Sequence, residues 1–243
     1  MKCKFLSVAA LVLLGAVSSA AAQSEAEFVS AFAGEWRIFD ESFAQGAQIC
    51  RITLGQEAQE GHYKLDKATC AGELANIATW GIVNGQMALF ASGGEPVVSL
   101  GGSQRRMTGT TKSGRPVIIE RAGTVGAAEQ LQAAAKASGC YYLGFSNRCA
   151  APADLSSPAT GTADKPVRIK VIVNLNARME ARDDASVIGV VPANSCVTAS
   201  VCVTASDGAW CRAQFGDRTG WLRKAAIRKN RWPIVTFVNQ CDN

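Results

Sequence analysis

The sequence predicts an all-β protein: an eight-stranded up-and-down antiparallel barrel, a short helical linker and a second, small β-barrel. Residues 34–122 consist of short alternating runs, and turn residues separate those runs at even spacing. Similar runs resume after residue 166. Eight of the nine cysteines follow residue 22, and an even set of this kind is typical of disulfide-bonded exported proteins.

The first residues have the order of a Sec-type signal peptide. Lys2 and Lys4 precede an apolar run over 5–17, and small residues lead to a cleavage position after Ala22 or one residue earlier. The run is shorter than the ~20 residues that a membrane-spanning helix needs, and no later stretch is longer. The early cysteine, Cys3, lies before the apolar run, whereas a lipoprotein requires a cysteine directly after the small residues. We therefore expect a soluble periplasmic or secreted protein with no transmembrane segment.

Alternation with a period of two residues predicts the strands of the first barrel. Cys50, Ile52 and Leu54 share one face of a strand, and Arg51 and Thr53 share the other, as in a half-buried strand. The eight strands are predicted near 34–39, 48–54, 61–67, 79–83, 86–91, 96–101, 105–110 and 116–121.

Turn chemistry indicates how these strands connect. Asn84-Gly85 lies between two runs and predicts a two-residue hairpin, because both residues tolerate a positive φ. Strands joined in chain order favour an up-and-down barrel, whose interior holds either packed side chains or one small ligand. Both alternatives remain open from the sequence. The residues able to fill the interior include Trp36, Met87, Leu89, Phe90 and Leu100.

The chain divides into a signal peptide over 1–22, a barrel over 23–122, a connecting segment over 123–166, and a second barrel with a basic extension over 167–243. In the connecting segment, residues 126–138 are good helix formers that end at Gly139. Cys140 and Cys149 bracket a tight loop, and the Ala-, Pro- and Ser-rich residues 150–166 predict a flexible linker. Strands of the second barrel are predicted at 167–173, 187–191, 195–205, 209–215 and 218–222.

Residue types that carry enzyme chemistry are scarce. His62 is the only histidine, and the sequence identifies no partner for it in a Ser-His-Asp or Cys-His site. The sequence has no H-E-x-x-H, P-loop or G-x-G-x-x-G motif and no close cysteine pair such as C-x2-C. Paired carboxylates leave no local signature, so that class of site stays open. We expect a protein that is not an enzyme and that uses no cofactor and no metal.

Gly34-Glu35-Trp36 is the Gly-x-Trp pattern with which lipocalin-like barrels close one end. It is followed by CRITL at 50–54, YKL at 63–65, TW at 79–80 and NGQMAL at 84–89. In this order the motifs resemble the bacterial alkaline metalloprotease inhibitor family over roughly residues 23–122. The resemblance implies a periplasmic eight-stranded barrel with one disulfide, which maps onto Cys50 and Cys70.

In that family the inhibitory element is a flexible N-terminal segment that enters the cleft of a secreted zinc protease. An amine or carbonyl placed on the zinc would occupy the open position that the catalytic water needs. The resemblance therefore implies a secreted, zinc-dependent protease as partner. Glu25 and Glu27 make the segment acidic, whereas the resemblance leads us to expect basic and proline residues there. The corresponding residues are Gln23, Ser24, Glu25, Ala26 and Glu27.

Four motifs follow one another in the last part of the chain: LNAR at 175–178, VIGVVP at 187–192, WCR at 210–212 and GWL at 220–222. With these motifs, residues 167–228 resemble the bacterial SH3-like domain, which binds cell-wall peptides or other proteins. Gly189 and Gly220 occupy tight bends that need a small residue, and Asn194 replaces the usual glycine in a turn that needs a left-handed φ. The resemblance implies a cell-wall peptide or envelope protein as a second partner.

The remaining cysteines permit two pairings. Cys202 and Cys211 flank Asp207-Gly208 and would face each other across a hairpin, which leaves Cys196 with Cys241. The alternative joins Cys196 to Cys211 and Cys202 to Cys241. In both cases we expect Cys140 to pair with Cys149, so that every bridge stays within its own region.

Charge is unevenly distributed. Residues 23–122 carry 9 basic and 11 acidic side chains, whereas residues 166–243 carry 11 basic and 6 acidic ones. Five cations fall within 223–231. Such a run can bind an acidic protein or anionic lipid, and the alternative is a solvated surface with no specific role. We expect no nucleic-acid partner for an exported protein. The predicted function is protease inhibition; the alternative is an envelope adaptor that acts through the SH3-like domain.

Overall fold

The protein, in a computed structural model, is described over residues 24–123, 127–158 and 165–241. These residues form a closed eight-stranded barrel, followed by a seven-stranded and a three-stranded sheet. The predicted all-β class is therefore confirmed. The predicted signal peptide over 1–22 lies outside the described residues. Within the described ranges, no helix is long and apolar enough to cross a membrane.

The barrel is antiparallel and up-and-down, because each strand pairs with the next along the chain and the first pairs with the last. Closure leaves no free strand edge. The strands are β1 (Gly34–Ile38), β2 (Cys50–Gln59), β3 (His62–Ala68), β4 (Ile77–Val83), β5 (Gln86–Ala91), β6 (Pro96–Gly102), β7 (Arg106–Thr111) and β8 (Pro116–Arg121).

Alternate residues of these strands build a single apolar interior. Cys50, Ile52 and Leu54 are buried while Arg51 and Thr53 are exposed, as the sequence pattern predicts. The continuous interior cluster fits packed side chains rather than a ligand cavity. Phe90 is buried outside this cluster, against the ring of His62. The buried interior cluster includes Trp36, Trp80, Met87, Leu89 and Leu100.

Turns match the predicted chemistry. Asn84 and Gly85 have φ of 51° and 76°, as the two-residue hairpin between β4 and β5 requires. Strand β2 extends to Gln59, beyond the predicted end at 54, and its register shifts between Leu54 and Ala58. The residues past this bulge are polar and exposed, so their sequence carries no alternating signal.

The C-terminal unit contains a curled seven-stranded sheet. Its strands are β10 (Val167–Val171), β11 (Leu175–Arg178), β12 (Val187–Val191), β13 (Cys196–Ala205), β14 (Gly208–Phe215), β15 (Arg218–Arg223) and β18 (Phe237–Val238). They lie in the order β12, β11, β15, β14, β13, β10, β18. The five predicted strands are present, and β11 and β18 are additional. Asn194 has a φ of 64°, as predicted for its turn.

A small three-stranded sheet joins the connecting segment to this unit. Strand β9 (Tyr142–Leu143) pairs in parallel with β17 (Trp232–Val235), which pairs with β16 (Ala225–Arg228). Helix α2 (Ala127–Ser138), close to the predicted 126–138, packs on β16 and β17. The segment predicted as a flexible linker contains a short helix α3 (Pro152–Leu155), and residues 159–164 lie outside the described part.

Four disulfides are present. Cys50–Cys70 and Cys140–Cys149 are the expected pairs, and the other two bridges follow the first of the two pairings that the sequence permits. Cys202 lies directly opposite Cys211 in the β13–β14 pairing, which decides between the two alternatives. Each bridge stays within the barrel or within the part of the chain that follows it. The pairs are Cys50–Cys70, Cys140–Cys149, Cys196–Cys241 and Cys202–Cys211.

A buried charged network joins the two units. The Asp207 carboxylate is fully buried and accepts from Arg106 Nη1 at 3.1 Å and from the Trp210 indole at 3.1 Å. Arg223 Nη2 lies 3.2 Å from the same carboxylate. Arg106 also pairs with Glu120 of β8. Burial alone would lower the pKa of Arg106, but Asp207 and Glu120 raise it overall, so the guanidinium stays charged.

The barrel and the C-terminal unit also touch through backbone hydrogen bonds and through an apolar patch on the outside of β8. The Ser206 N–H donates to Glu120 at 2.7 Å, and the Thr204 N–H donates to Asp40 at 2.8 Å. Ile118, which points out of the barrel, packs against a patch that includes Trp210. Hydrogen bonds, ion pairs and apolar burial therefore all contribute to holding the second unit on the barrel.

Candidate functional site

The candidate site is the end of the barrel where β1 begins. Antiparallel connection in chain order places three turns at this end: β2–β3 around Glu60-Gly61, β4–β5 at Asn84-Gly85, and β6–β7 over 103–105. Helix α1 (Glu25–Phe32) leads into β1 and covers the same end. The site is thus one short helix framed by three hairpin turns.

The start of α1 is a capping box. The Ser24 N–H donates to Glu27 Oε2 at 2.8 Å, and the Glu27 N–H donates to Ser24 Oγ at 3.3 Å. Hydrogen bonds from Ser24, first of all from its backbone N–H, lower the pKa of Glu27. An ionised carboxylate at a helix N-terminus also interacts favourably with the helix dipole.

Aromatic stacking anchors the other end of α1. The rings of Phe28 and Phe32 stack at 4.4 Å, and Phe32 stacks on Trp36 at 6.2 Å. The Trp36 indole N–H donates to the Phe32 carbonyl oxygen at 2.9 Å. Trp36 is fully buried, and Gly34 begins β1 with a φ of 120°. The Gly-x-Trp signature therefore lies at the junction of the helix and the barrel, closing this end.

Arg121, the last residue of β8, fastens the end of the helix to the barrel. Its Nη1 donates to the Ala31 carbonyl at 2.7 Å, and its Nη2 donates to the Ala33 carbonyl at 2.6 Å. The guanidinium also lies 5.5 Å from the centre of the Trp36 ring. A cation at these carbonyls satisfies the unpaired acceptors of a helix C-terminus and complements its dipole.

The first turn of α1 is tied to the β2–β3 hairpin. Tyr63 Oη donates to Glu25 Oε1 at 2.9 Å, and this hydrogen bond raises the pKa of Tyr63. Tyr63 also packs against Trp80, with ring centres 5.4 Å apart. The Trp80 indole N–H donates to the Gly55 carbonyl at 2.9 Å, which fixes the bulge at the base of this hairpin.

The structure describes four of the five residues of the predicted inhibitory segment. Ser24 is the N-cap, and Glu25, Ala26 and Glu27 form the first helical turn, while Gln23 lies outside the described residues. We expected a flexible segment, but residues 25–27 are helical, and side-chain hydrogen bonds hold Ser24, Glu25 and Glu27. The Ser24-x-x-Glu27 spacing is a capping-box signal that could have predicted this. The anchors Tyr63 and Arg121 carry no local signal, because they are distant in sequence.

The α1 end combines acidic and aromatic side chains. Acidic side chains lie in the first turn of α1, next to the apolar surface of Phe28. His62 stacks on Phe90 with ring centres 3.8 Å apart. Over the described ranges, no group of three or more His, Cys, Asp or Glu side chains could hold a metal ion.

The basic run over 223–231 is not one solvated surface. Lys224 is only 1% exposed, and Arg223 pairs with Asp183 and the buried Asp207. Arg228 lies over the ring of Phe145 at 4.1 Å. The run therefore contributes both to the interior and to a separate cleft.

Comparison with known proteins places the barrel in a family. The family described as protease inhibitor Inh matches residues 28–121, which covers all eight strands and most of α1. The barrel is an Inh-type domain. The predicted resemblance is confirmed for this part of the chain, and the matched family is one of inhibitors rather than enzymes.

Relatives of the Inh-type barrel include two outer membrane lipoproteins named omp19, from Brucella melitensis biotype 1 and Brucella suis biovar 1. Each is 35% identical over 92 residues, which is 37% of this chain and 49% of the relative. The chain thus spans about half the length of the curated relatives it matches. The crystal structure of a psychrophilic marine protease MP inhibitor is 17% identical, with 39% of this chain and 98% of that chain covered and a TM-score of 0.26.

Proposed function

We propose that this protein is an exported protease inhibitor in which the α1 end of the Inh-type barrel blocks the active-site cleft of a secreted protease. The observation that carries this proposal is the match of residues 28–121 to the protease inhibitor Inh family. The site adds support, because residues 24–27 at the start of α1 are exposed at one end of a closed, disulfide-bonded barrel. This exposed turn can contact a cleft while the barrel stays outside.

The zinc-protease target is the finer part of the proposal. Cleavage after Ala22 would leave Gln23 directly ahead of the capped first turn. Its α-amine could then fill the open coordination position of a catalytic zinc ion. Because Ser24 and Glu25 are already held by hydrogen bonds, a rigid helical tip would lose less conformational entropy on binding than a free segment.

An envelope or extracellular location fits the same proposal. Four disulfides are typical of proteins that mature in an oxidising compartment, and the Brucella relatives are named outer membrane lipoproteins. We infer export through the sequence at 1–22. A secreted or periplasmic protease would then be accessible to the inhibitor.

The test uses the mature chain, residues 23–243, against secreted zinc endoproteases and against serine and cysteine proteases. We expect inhibition of at least one zinc enzyme at micromolar concentration or below. Gly-Ser-Gly added ahead of Gln23 should abolish it, because the amine is displaced from the metal. The same tripeptide added after Asn243 is the matched control and should leave inhibition unchanged. Lack of inhibition across the panel would refute the proposal, and inhibition of serine or cysteine proteases only would refute the zinc mechanism.

A second candidate is an envelope adaptor that acts through an SH3-like module. The curled sheet over 167–238 and the envelope location named for the relatives favour it. Co-sedimentation of the complete mature chain with purified peptidoglycan tests this candidate. Retention without any protease inhibition would favour the adaptor over the inhibitor.

A further inference from the structure

We propose that the C-terminal unit carries a binding cleft for an acidic peptide segment of a partner protein. The cleft lies between the Cys140–Cys149 loop and the β16–β17 hairpin and has a volume of about 430 Å³. In this arrangement a carboxylate of the peptide binds Arg228, and a neighbouring apolar side chain packs against Phe145 and Trp232. Tyr142, Asn147 and Ile234 complete the lining.

Three chain segments bring these side chains together. Arg228 and Trp232 lie directly opposite each other in the β16–β17 pairing, and Ile234 pairs with Tyr142 of β9. The rings of Tyr142 and Trp232 meet edge to face, with centres 5.8 Å apart. Phe145 stands on the loop that follows β9. The cleft is therefore built on a sheet, which positions its walls.

Phe145 is exposed although it is apolar. Its exposed fraction is 56%, and Phe145 is the only aromatic among the large apolar side chains exposed in the described residues. The loop that carries it is held firmly: the Gly144 N–H donates to the Val235 carbonyl at 3.0 Å, and Ser146 Oγ donates to the Leu143 carbonyl at 2.7 Å. The Cys140–Cys149 bridge closes the loop. A prearranged aromatic side chain of this kind is typical of binding hot spots.

Arg228 has unused donors. Its guanidinium lies 4.1 Å from the centre of the Phe145 ring, which occupies one face of the group. Within the described residues, Arg228 forms no ion pair with a carboxylate. A stacked guanidinium keeps its in-plane N–H groups free to donate, and these match a carboxylate in a two-point contact. The group is partly buried, so it is less screened than a fully exposed cation.

Charge complementarity favours an acidic partner. Residues 140–149 and 218–241 contain no aspartate or glutamate. Arg148 and Lys229 are exposed near the cleft, and Arg231 lies 4.5 Å from the Trp232 ring centre. These cations attract an anionic segment and repel a basic one. The concave shape of the cleft suits the side chains of a peptide better than a flat lipid surface.

The test measures binding of fluorescein-labelled nonapeptides to the mature chain by anisotropy at about 0.15 M salt. Each peptide has a central glutamate flanked by Leu, Phe, Tyr or Pro. We expect at least one peptide to bind with a Kd on the order of 10–100 μM. Phe145→Ala and Arg228→Gln should each weaken that binding about tenfold or more, as expected for contacts at the centre of a small site. The same peptide with glutamine at its centre should bind equally weakly.

Arg105→Gln is the matched control, because it removes one exposed cation from the barrel. It should change the Kd by less than about twofold, since Arg105 lies on the barrel and does not line the cleft. Circular dichroism and thermal melting of each variant exclude misfolding. Absence of binding by every peptide at about 1 mM would overturn the proposal. So would equal binding by the Phe145 and Arg228 variants, or Arg228-dependent binding to phosphatidylglycerol vesicles without peptide binding.

Discussion

Lys224 shows how a single residue can differ from its apparent role in the sequence. In the basic run over 223–231 it counts as one of five surface cations. The side chain is in fact buried, donates to Asn239 Oδ1 at 2.5 Å and lies 4.7 Å from the Phe237 ring centre. Burial lowers the pKa of Lys224 to about 8. The charge therefore opposes folding at neutral pH.

Lys224→Met should remove a specific pH dependence of stability. The pKa of Lys224 is lowered to about 8 in the folded state. In the unfolded chain it is about 10.4, so the unfolded chain binds more protons between these values and stability rises with pH. We expect the wild-type free energy of unfolding to rise from pH 8 to pH 9.5, by at most about 1.4 kcal/mol per pH unit relative to the variant. Urea denaturation at several pH values measures this.

Lys112→Met is the control, because Lys112 is exposed and lies on the barrel. It should keep the wild-type slope. Parallel pH profiles for the wild type and the Lys224 variant would contradict the prediction.

The burial of individual cations in the basic run could not be predicted from the sequence. Arg223 and Lys224 are adjacent cations, yet one joins an ion-pair network and the other lies beneath β18 and α3. The elements that bury them were not predicted. Counting the charges of the run gives the number of cations, but it does not show which of them the fold buries.

At the scale of elements, α1 depends on a contact with the last residue of β8. Arg121→Gln should loosen it, because the guanidinium bonds to Ala31 and Ala33 and its packing on Trp36 are lost. Such charged hydrogen bonds contribute roughly 1.5–3 kcal/mol each. We expect amide exchange over 28–33 to become at least about tenfold faster, as a loss of 1.4 kcal/mol or more implies.

Hydrogen-exchange mass spectrometry makes this measurement on the mature chain. Arg105→Gln serves as the comparison, because its side chain is exposed on the same end of the barrel. Unchanged exchange over 28–33 in the Arg121 variant would show that aromatic stacking alone holds the helix.

The Cys50–Cys70 bridge should stabilise the barrel specifically. It spans 20 residues, and a loop of this length corresponds to about 3 kcal/mol in the chain-entropy account. Replacing both cysteines with serine should lower the barrel's melting temperature by roughly 10–20 °C. The double variant Cys140→Ser with Cys149→Ser lies outside the barrel and should leave the barrel transition in place. Near-ultraviolet circular dichroism follows the buried Trp36 and Trp80, and an unchanged melt would count against this account.

Elements with clear alternation were predictable, and short ones were not. The barrel strands were found within a few residues, because half-buried strands alternate between faces, as in Cys50–Leu54. Strand β17 begins with Trp232-Pro233 after the basic run and shows no alternation. Strand β9 has two residues and depends on β17 for its pairing. Such elements form because tertiary contacts order them, and those contacts lie far apart in sequence.

For the whole molecule, the sequence predicted two units but not their contact. The uneven charge indicated a separate, basic C-terminal unit. The structure instead connects the two through Arg106 of the barrel and the buried Asp207 of the other unit. These residues are 101 positions apart, so no local pattern could pair them. The consequence is that α1 and the C-terminal cleft belong to one connected assembly.

Asp207→Asn should uncouple the two units. The buried carboxylate lies against Arg106, Arg223 and the Trp210 indole, so its removal leaves two guanidinium groups with less compensation. Removing one partner of a buried ion pair typically costs about 3–5 kcal/mol. We expect the C-terminal unit of the variant to melt at a lower temperature, so that its calorimetric transition separates from that of the barrel. Asp217→Asn is the matched control, because the Asp217 side chain is 97% exposed, and it should melt like the wild type. A single transition at the wild-type temperature in the Asp207 variant would mean that apolar packing around Ile118 and Trp210, not the charged network, holds the units together.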